Sequence, residues 1–144
     1  ARKLSDADAQ ALRGWITLYK QLRHRLHHGR VWRGQCADGV VWQVHGDEDA
    51  ADLLLLAYRL RPSDHRYPPQ LLLPMLDSRA QYRLQEVLPE GTLRKTGRHD
   101  TAPFFDAINT AEGLQVHGAW LREAGLPLPR TQAETAFIVR LTRL

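Results

Sequence analysis

The stretch LYKQLRHRLHHG, residues 18–29, gathers the side chains most able to do chemistry, including His24, His27 and His28. On a helix His24 lies beside both other histidines, whereas His27 and His28 diverge by about 100°. Two imidazoles could share a metal ion, but further ligands would have to come from elsewhere, and no second cluster of His, Cys or paired carboxylates is nearby in the sequence. The pattern therefore favours a solvated helix end, where cations suit the helix dipole, and we predict no metal and no cofactor.

The basic residues of the same stretch and its flank, Lys20, Arg23, Arg25 and Arg30, raise the question of phosphate binding. A nucleic-acid-binding protein concentrates such charges on one face. This chain has 20 Lys and Arg residues and 16 Asp and Glu residues, and its formal net charge of +4 is spread along the sequence. Arg23 lies at the edge of an apolar stripe, where pairing with a carboxylate or carbonyl is the commoner outcome. We predict no nucleic-acid partner.

No set of residues resembles a self-sufficient active site. The run HGDEDAAD supplies Asp47, Glu48, Asp49 and Asp52, but acids between two strands usually form a solvated turn. Cys36 lies in a predicted hairpin without an adjacent base, and this context favours a structural role for its thiol. Nucleophile-elbow, P-loop and dinucleotide motifs are missing from the sequence, and no catalytic residue is predicted.

Three tryptophans on predicted strands, Trp32, Trp42 and Trp120, are candidates for contact with sugars. Exposed indoles on a sheet can stack on carbohydrate, but aromatic side chains more often bury their large apolar area in a core or between domains. The sequence leaves both interpretations open and favours burial.

The first element, within residues 1–29, is predicted to be an amphipathic helix. Ser5 followed by Asp8 is typical of a capped N-terminus, and Gly29 is placed to end the helix in a left-handed conformation. Between them an apolar stripe recurs at spacings of three and four residues, with Ile16 and Leu18 beside it. The stripe consists of Leu12, Trp15, Tyr19, Leu22 and Leu26.

After Gly29 the apolar period changes from near 3.6 to near 2, which predicts strands over residues 30–144. VWRGQCADGVVWQVHG reads as a hairpin turning at Asp38-Gly39, and ADLLLLAYRLRP as a strand that Pro62 ends. QLLLPML, AQYRLQEVL, LQVHGAWLREAG and ETAFIVRLTRL read as further strands, with residues 88–113 as a long connection. The prediction is all-β: an antiparallel β-sandwich of the Greek-key type, preceded by one helix.

The helix stripe has no obvious place inside such a fold, because a sandwich fills its core from its own two inner faces. We therefore expect the stripe to cover an outer face or to dock on another domain, with Trp15, Tyr19, Leu22 and Arg23 as the docking strip. The longest apolar segment, residues 53–58, is too short to cross a bilayer, so no membrane partner is predicted. A single cysteine suits a reducing compartment, and we expect a cytoplasmic location.

The order of motifs resembles the C-terminal region of the family 36 glycoside hydrolases, the large α-galactosidases. In that family a helix with Tyr-Lys-x-x-Arg leaves the catalytic (β/α)8 barrel, matched here by Tyr19, Lys20 and Arg23. The family's Leu-Asp…Tyr turn and its late Gly-x-x-Leu…Gly-Leu-x-Leu segment are matched as well. The matching residues are Leu76, Asp77 and Tyr82, then Gly118, Leu121, Gly125, Leu126 and Leu128.

The resemblance implies that the chain is the accessory C-terminal sandwich of an α-galactosidase-like enzyme of carbohydrate metabolism. The parent enzymes are retaining hydrolases, whose two catalytic aspartates lie on barrel loops. No motif that carries them occurs here, so no catalytic residue can be transferred to this chain. The expected role is to stabilise the barrel of the same chain and its assembly, including into a homo-oligomer. The alternative is a carbohydrate-binding module that uses the tryptophans.

Overall fold

The computed structural model describes residues 3–36, 38–63, 70–90, 92, 103–128 and 135–144. The chain forms three helices and eight strands within these residues. In chain order they are α1 (Asp6–His27), β1 (Arg30–Cys36), β2 (Val40–Gly46), β3 (Asp52–Arg59), β4 (Gln70–Leu71), β5 (Gln81–Glu86), α2 (Pro103–Ile108), β6 (Leu114–His117), α3 (Gly118–Glu123), β7 (Leu126–Pro127) and β8 (Thr135–Arg143).

Helix α1 confirms the predicted N-terminal helix and both of its end signals. The Ser5 hydroxyl accepts a hydrogen bond from the backbone N–H of Asp8 at 3.1 Å, which satisfies one of the unpaired donors of the first turn. After His28 the chain turns at Gly29, whose φ of +87° is unfavourable for a residue with a side chain. The helix therefore ends where the sequence places its stop.

Six strands form one antiparallel sheet in the order β1-β2-β3-β8-β5-β6. The β1–β2 hairpin turns at Asp38 and Gly39, as predicted, and pairs Arg30 with Gly46 through Cys36 with Val40. Strand β3 lies between β2 and β8, and β8 joins it to β5. Strands β4 and β7 form a separate two-stranded sheet. The prediction of an antiparallel β-sandwich with an N-terminal helix is confirmed.

The main core lies between the large sheet and the layer that contains the small sheet. Alternation along β3 directs Leu53 and Leu55 to this inner face. They join buried side chains of the second layer, among them Leu71, Leu121 and Leu126. Tyr82 is also buried there, and its hydroxyl accepts a hydrogen bond from the backbone N–H of Asp77 at 3.0 Å. This bond fixes the turn between the two layers.

Some predictions of local structure were wrong. LQVHGAWLREAG is not one strand: β6 ends at His117 and α3 follows, so Trp120 lies on a helix. The helical turn directs Leu121 into the core, and this burial outweighs the strand-like pattern of the preceding residues. Of the segment QLLLPML, only Gln70 and Leu71 form a strand, β4. The connection predicted for residues 88–113 contains α2, while its residues 91 and 93–102 lie outside the described part of the chain.

A buried ion pair fixes the hairpin turn to the end of β3. An Arg59 Nη atom donates to the Asp38 carboxylate at 3.0 Å and to its backbone carbonyl at 2.9 Å. Both residues are nearly inaccessible to solvent, and the Ser63 hydroxyl donates to the same carboxylate. A charge in such a position requires a partner, because its desolvation is otherwise uncompensated.

We predict that Asp38→Ala destabilises the protein by about 3 kcal/mol, because it leaves the Arg59 guanidinium buried without its carboxylate. Urea unfolding followed by circular dichroism measures the change in the free energy of unfolding. Arg79→Ala, which removes a 92% exposed partner of Asp77, is the matched control and should cost less than about 1 kcal/mol. Equal losses for the two variants would contradict the assignment.

Candidate functional site

Helix α1 packs on the outer face of the large sheet, opposite the main core. Alternation along the strands places His45 of β2 and Leu54 of β3 on this outer face. Leu54 is fully buried and His45 is 7% exposed, yet neither belongs to the main core cluster. Leu18 is the buried residue of α1 and also lies outside that cluster. A second, smaller core therefore joins α1 to the sheet.

The sheet covers only one side of the apolar stripe of α1. Counting about 100° per residue, the apolar arc from Leu18 to Ile16 spans about 160°. Leu18 is buried and Leu22 half-buried on the sheet side. On the other side, which we call the exposed flank of α1, large apolar side chains are 44–48% exposed. The exposed flank comprises Leu12, Trp15, Ile16 and Tyr19.

The four residues of the predicted docking strip thus occupy different positions. Trp15 and Tyr19 lie on the exposed flank, Leu22 lies between the flank and the sheet, and Arg23 is exposed. The Tyr19 hydroxyl and His27 Nε2 share a hydrogen bond of 2.8 Å, which spans two helical turns and fixes the tyrosine ring. Docking on these residues stays a prediction. Leu12 and Ile16 belong to the same surface but were not assigned to the strip.

Asp52 joins α1 to the sheet electrostatically. Its carboxylate lies 2.5 Å from an Arg25 Nη atom and accepts two hydrogen bonds of 3.1 Å from Arg140 of β8. Burial raises the pKa of Asp52, but the hydrogen bonds from Arg140 and Arg25 outweigh it and hold the pKa below its usual value. Asp52, which was predicted to lie in a solvated turn, is therefore partly buried and forms ion pairs with two arginines. Its neighbours Asp47, Glu48 and Asp49 are exposed.

His45 lies under the C-terminal end of α1. Burial lowers its pKa, as do the positive charge of Arg33 and proximity to His27, while the backbone of Leu26 acts in the opposite direction. Neither ring nitrogen has a hydrogen bond of ordinary geometry among the described residues. His45 was not among the residues singled out from the sequence. Its burial could be recognised only from the strand pairing, which places the end of β2 beside the C-terminus of the helix.

The histidines of α1 do not assemble a metal centre. His24 and His28 stack with ring centroids 4.4 Å apart, and His28 Nδ1 lies 3.0 Å from the carbonyl oxygen of His24. Within the described ranges, no group of three or more His, Cys, Asp or Glu residues is arranged to hold a metal ion. Burial also raises the pKa of the Cys36 thiol, which disfavours the thiolate that a nucleophile needs.

The three tryptophans differ in their surroundings. Trp32 and Trp42 are half-buried against the main core. The Arg30 guanidinium lies 5.2 Å from the Trp32 ring centroid, and the Trp42 indole lies so close to Gly34 that a side chain at residue 34 would collide with it. Trp120 is 40% exposed and stacks on Phe104, with ring centroids 5.7 Å apart and planes inclined by 29°. A sugar platform stays an untested prediction for all three.

Comparison with known proteins identifies similar sequences and structures. A family model described as the glycosyl hydrolase family 36 C-terminal domain matches residues 40–141. An Escherichia coli α-galactosidase is 30% identical over 139 residues, which cover 94% of this chain and 19% of that protein. This chain therefore spans about a fifth of the length of that relative.

Solved structures agree with the sequence matches. The galactosidase domain of the α-galactosidase-sucrose kinase AgaSK superposes with a TM-score of 0.69 at 25% identity, over 98% of this chain and 17% of that one. The family 36 α-galactosidase AgaA of Geobacillus stearothermophilus, solved with raffinose, gives a TM-score of 0.70 at 20% identity, over 99% of this chain and 17% of that one. Separately, no helix among the described residues is long and apolar enough to cross a membrane.

We predict that His45 makes stability depend on pH. Because its pKa is lower in the folded protein than in the unfolded chain, its contribution is complete above about pH 6.5 and is lost as the pH falls below that value. The free energy of unfolding should therefore decrease between about pH 7.5 and about pH 5, and His45→Gln should reduce this decrease.

Urea unfolding at several pH values checks the His45 prediction. His24→Gln, which changes an exposed histidine of α1, is the control and should retain the full pH dependence. The prediction fails when His45→Gln and the unchanged protein lose the same stability on acidification.

Proposed function

Since the chain belongs to the glycosyl hydrolase family 36 C-terminal domains, we propose that it is the non-catalytic β-sandwich domain of an α-galactosidase. In this proposal the parent enzyme hydrolyses terminal α-galactosides in its catalytic barrel. The present domain stabilises that barrel and helps to order the packing of the enzyme's subunits. The observation that carries the proposal is the exposed flank of α1.

The exposed flank is too apolar and too contiguous for a surface helix without a neighbour. Trp15, Ile16 and Tyr19 are each 44% or more exposed, although they lie within one apolar arc. Isolated apolar residues on a surface are ordinary, whereas a contiguous patch marks a contact with another protein surface. Burial of the exposed half of one aromatic side chain contributes roughly 2 kcal/mol, so a neighbouring domain would gain substantial stability from this contact.

The barrel of the same chain is the proposed neighbour. The E. coli α-galactosidase is about five times longer than the region that this chain matches. The matched solved structures contain the whole domain within a longer chain. Three carboxylates with defined partners, Asp38, Asp52 and Asp77, hold ion pairs and a turn. We therefore assign the hydrolytic chemistry to the catalytic domain.

We predict that Trp15→Ser and Leu22→Ser lower the melting temperature of the full-length enzyme, each by at least about 2–4 °C. Trp15→Ser removes apolar contact with the barrel, and Leu22→Ser removes apolar contact at the border between the exposed flank and the sheet. The turnover number at a permissive temperature should stay unchanged, since neither residue is assigned to the chemical step. Differential scanning calorimetry and initial-rate kinetics measure the two quantities.

Leu60→Ser is the control for these substitutions, because Leu60 is 56% exposed and lies beyond the end of β3, away from α1. It should leave the melting temperature unchanged. An unchanged melting temperature in both Trp15→Ser and Leu22→Ser would refute the docking role.

A second candidate function, carbohydrate binding, is favoured by one observation. Trp120 is partly exposed and rests on Phe104, which would support a flat stacking surface. Trp32 and Trp42 are less suitable, because they pack against the core. If docking is the sole role, titration with galactose, melibiose and raffinose should give no saturable change in tryptophan fluorescence. Saturable quenching that Trp120→Ala abolishes would support the binding module instead.

A further inference from the structure

The outer face of the large sheet is covered along only part of its area. At one end His45 and Leu54 lie beneath α1 and are buried. Toward the other end the same alternation brings Leu56 and Tyr58 to the outer face, and Tyr58 is 37% exposed. An open groove of about 510 Å³ lies there. Its outward-pointing lining is Arg33, Val41, Gln43, Leu56, Tyr58, Ala136 and Ile138.

The composition of this groove suits a protein surface better than water. Its floor, contributed by β2, β3 and β8, is mostly aliphatic but includes the amide of Gln43, while the rim carries an aromatic ring and the Arg33 guanidinium. Among the described residues Arg33 has no carboxylate partner. Asp52, an acid of this face, is already paired with Arg25 and Arg140. The groove therefore fits apolar side chains accompanied by an acidic group.

The groove is continuous with the exposed flank of α1. Arg33 on its rim belongs to the residue pair next to that of His45 on the same face of the β1–β2 ladder. His45 lies beneath the C-terminal end of α1, the end that carries His27. His27 in turn is hydrogen-bonded to Tyr19, which belongs to the exposed flank. The open half of the sheet face and the flank of the helix thus meet at one place. A single partner could cover both without covering the rest of the domain.

We propose that the groove and the exposed flank of α1 form one contact surface, and that it binds the catalytic domain of the same chain through apolar side chains and a carboxylate opposite Arg33. This inference rests on the proposed function and extends it from the helix to the sheet. A second copy of the chain fits less well, because a symmetric contact would place the same surface on both sides. Among the described residues, neither the groove lining nor the exposed flank includes a carboxylate that could lie opposite Arg33 of a second copy.

The test is photo-cross-linking in the intact parent enzyme. A benzophenone amino acid replaces Tyr58 in the groove, and in separate proteins it replaces Trp15 on α1 or Leu72. Leu72 is the control, because it is 48% exposed and follows β4 in the opposite layer of the sandwich. After irradiation, mass spectrometry maps the cross-linked peptides and gel electrophoresis separates links within one chain from links between chains.

We expect the probes at residues 58 and 15 to form links within one chain to the catalytic domain, and the probe at residue 72 to form none. Links from residue 15 without links from residue 58 would overturn the groove proposal and leave the proposed function intact. Links from neither residue would overturn both. Links between chains from residue 58 would show a second copy in the groove and would also overturn the proposal.

A stability measurement provides an independent readout. Tyr58→Asp introduces a charge into the groove at an exposed position, so the domain itself should still fold. In the intact enzyme it should raise the rate constant of thermal inactivation by about fivefold, as expected for loss of about 1 kcal/mol of contact energy. Leu72→Asp should change it by less than about twofold. Equal rate constants for the two variants would contradict the proposal.

Discussion

Four consecutive leucines in β3 require the central sheet to be covered on both sides. Because side chains alternate along a strand, Leu53 and Leu55 enter the main core while Leu54 and Leu56 point away from it. The second layer of the sandwich covers the first pair, and α1 covers Leu54. Leu56 remains in the open groove. The position of the helix, the second small core and the groove all follow from this one constraint.

Polar contacts determine where these apolar layers meet. The Arg59–Asp38 pair holds the hairpin turn against the end of β3, and Asp52 holds α1 to β8 through Arg25 and Arg140. Buried ion pairs contribute less net stability than their distances suggest, because both partners lose their hydration. Their geometry is nevertheless specific, so a displaced helix or turn would leave a charge without its partner. Apolar burial supplies the driving force, and these pairs select the alignment.

The sequence allowed the local elements of the fold to be predicted more fully than their layering. Ser5 and Gly29 delimit α1, the Asp38-Gly39 turn identifies the hairpin, and alternating or continuous apolar residues identify the long strands. Trp120 was placed on a strand because a short apolar pattern does not distinguish a strand end from one helical turn. The covering of Leu54 and His45 by α1 depends on contacts between residues far apart in the chain, which no local pattern encodes. The same applies to the groove, whose lining comes from four strands.

Strand β1 stands at the end of the sheet order, so one row of its peptide groups is not paired within the sheet. Such an edge is a template for uncontrolled strand addition, and charged side chains are a common protection against it. Arg30 and Arg33 differ by an odd number of residues and therefore project from opposite faces of β1. An incoming identical strand would meet a positive charge on either side of the sheet. This pair of arginines thus disfavours aggregation along the β1 edge, the longer of the two edges of the six-stranded sheet.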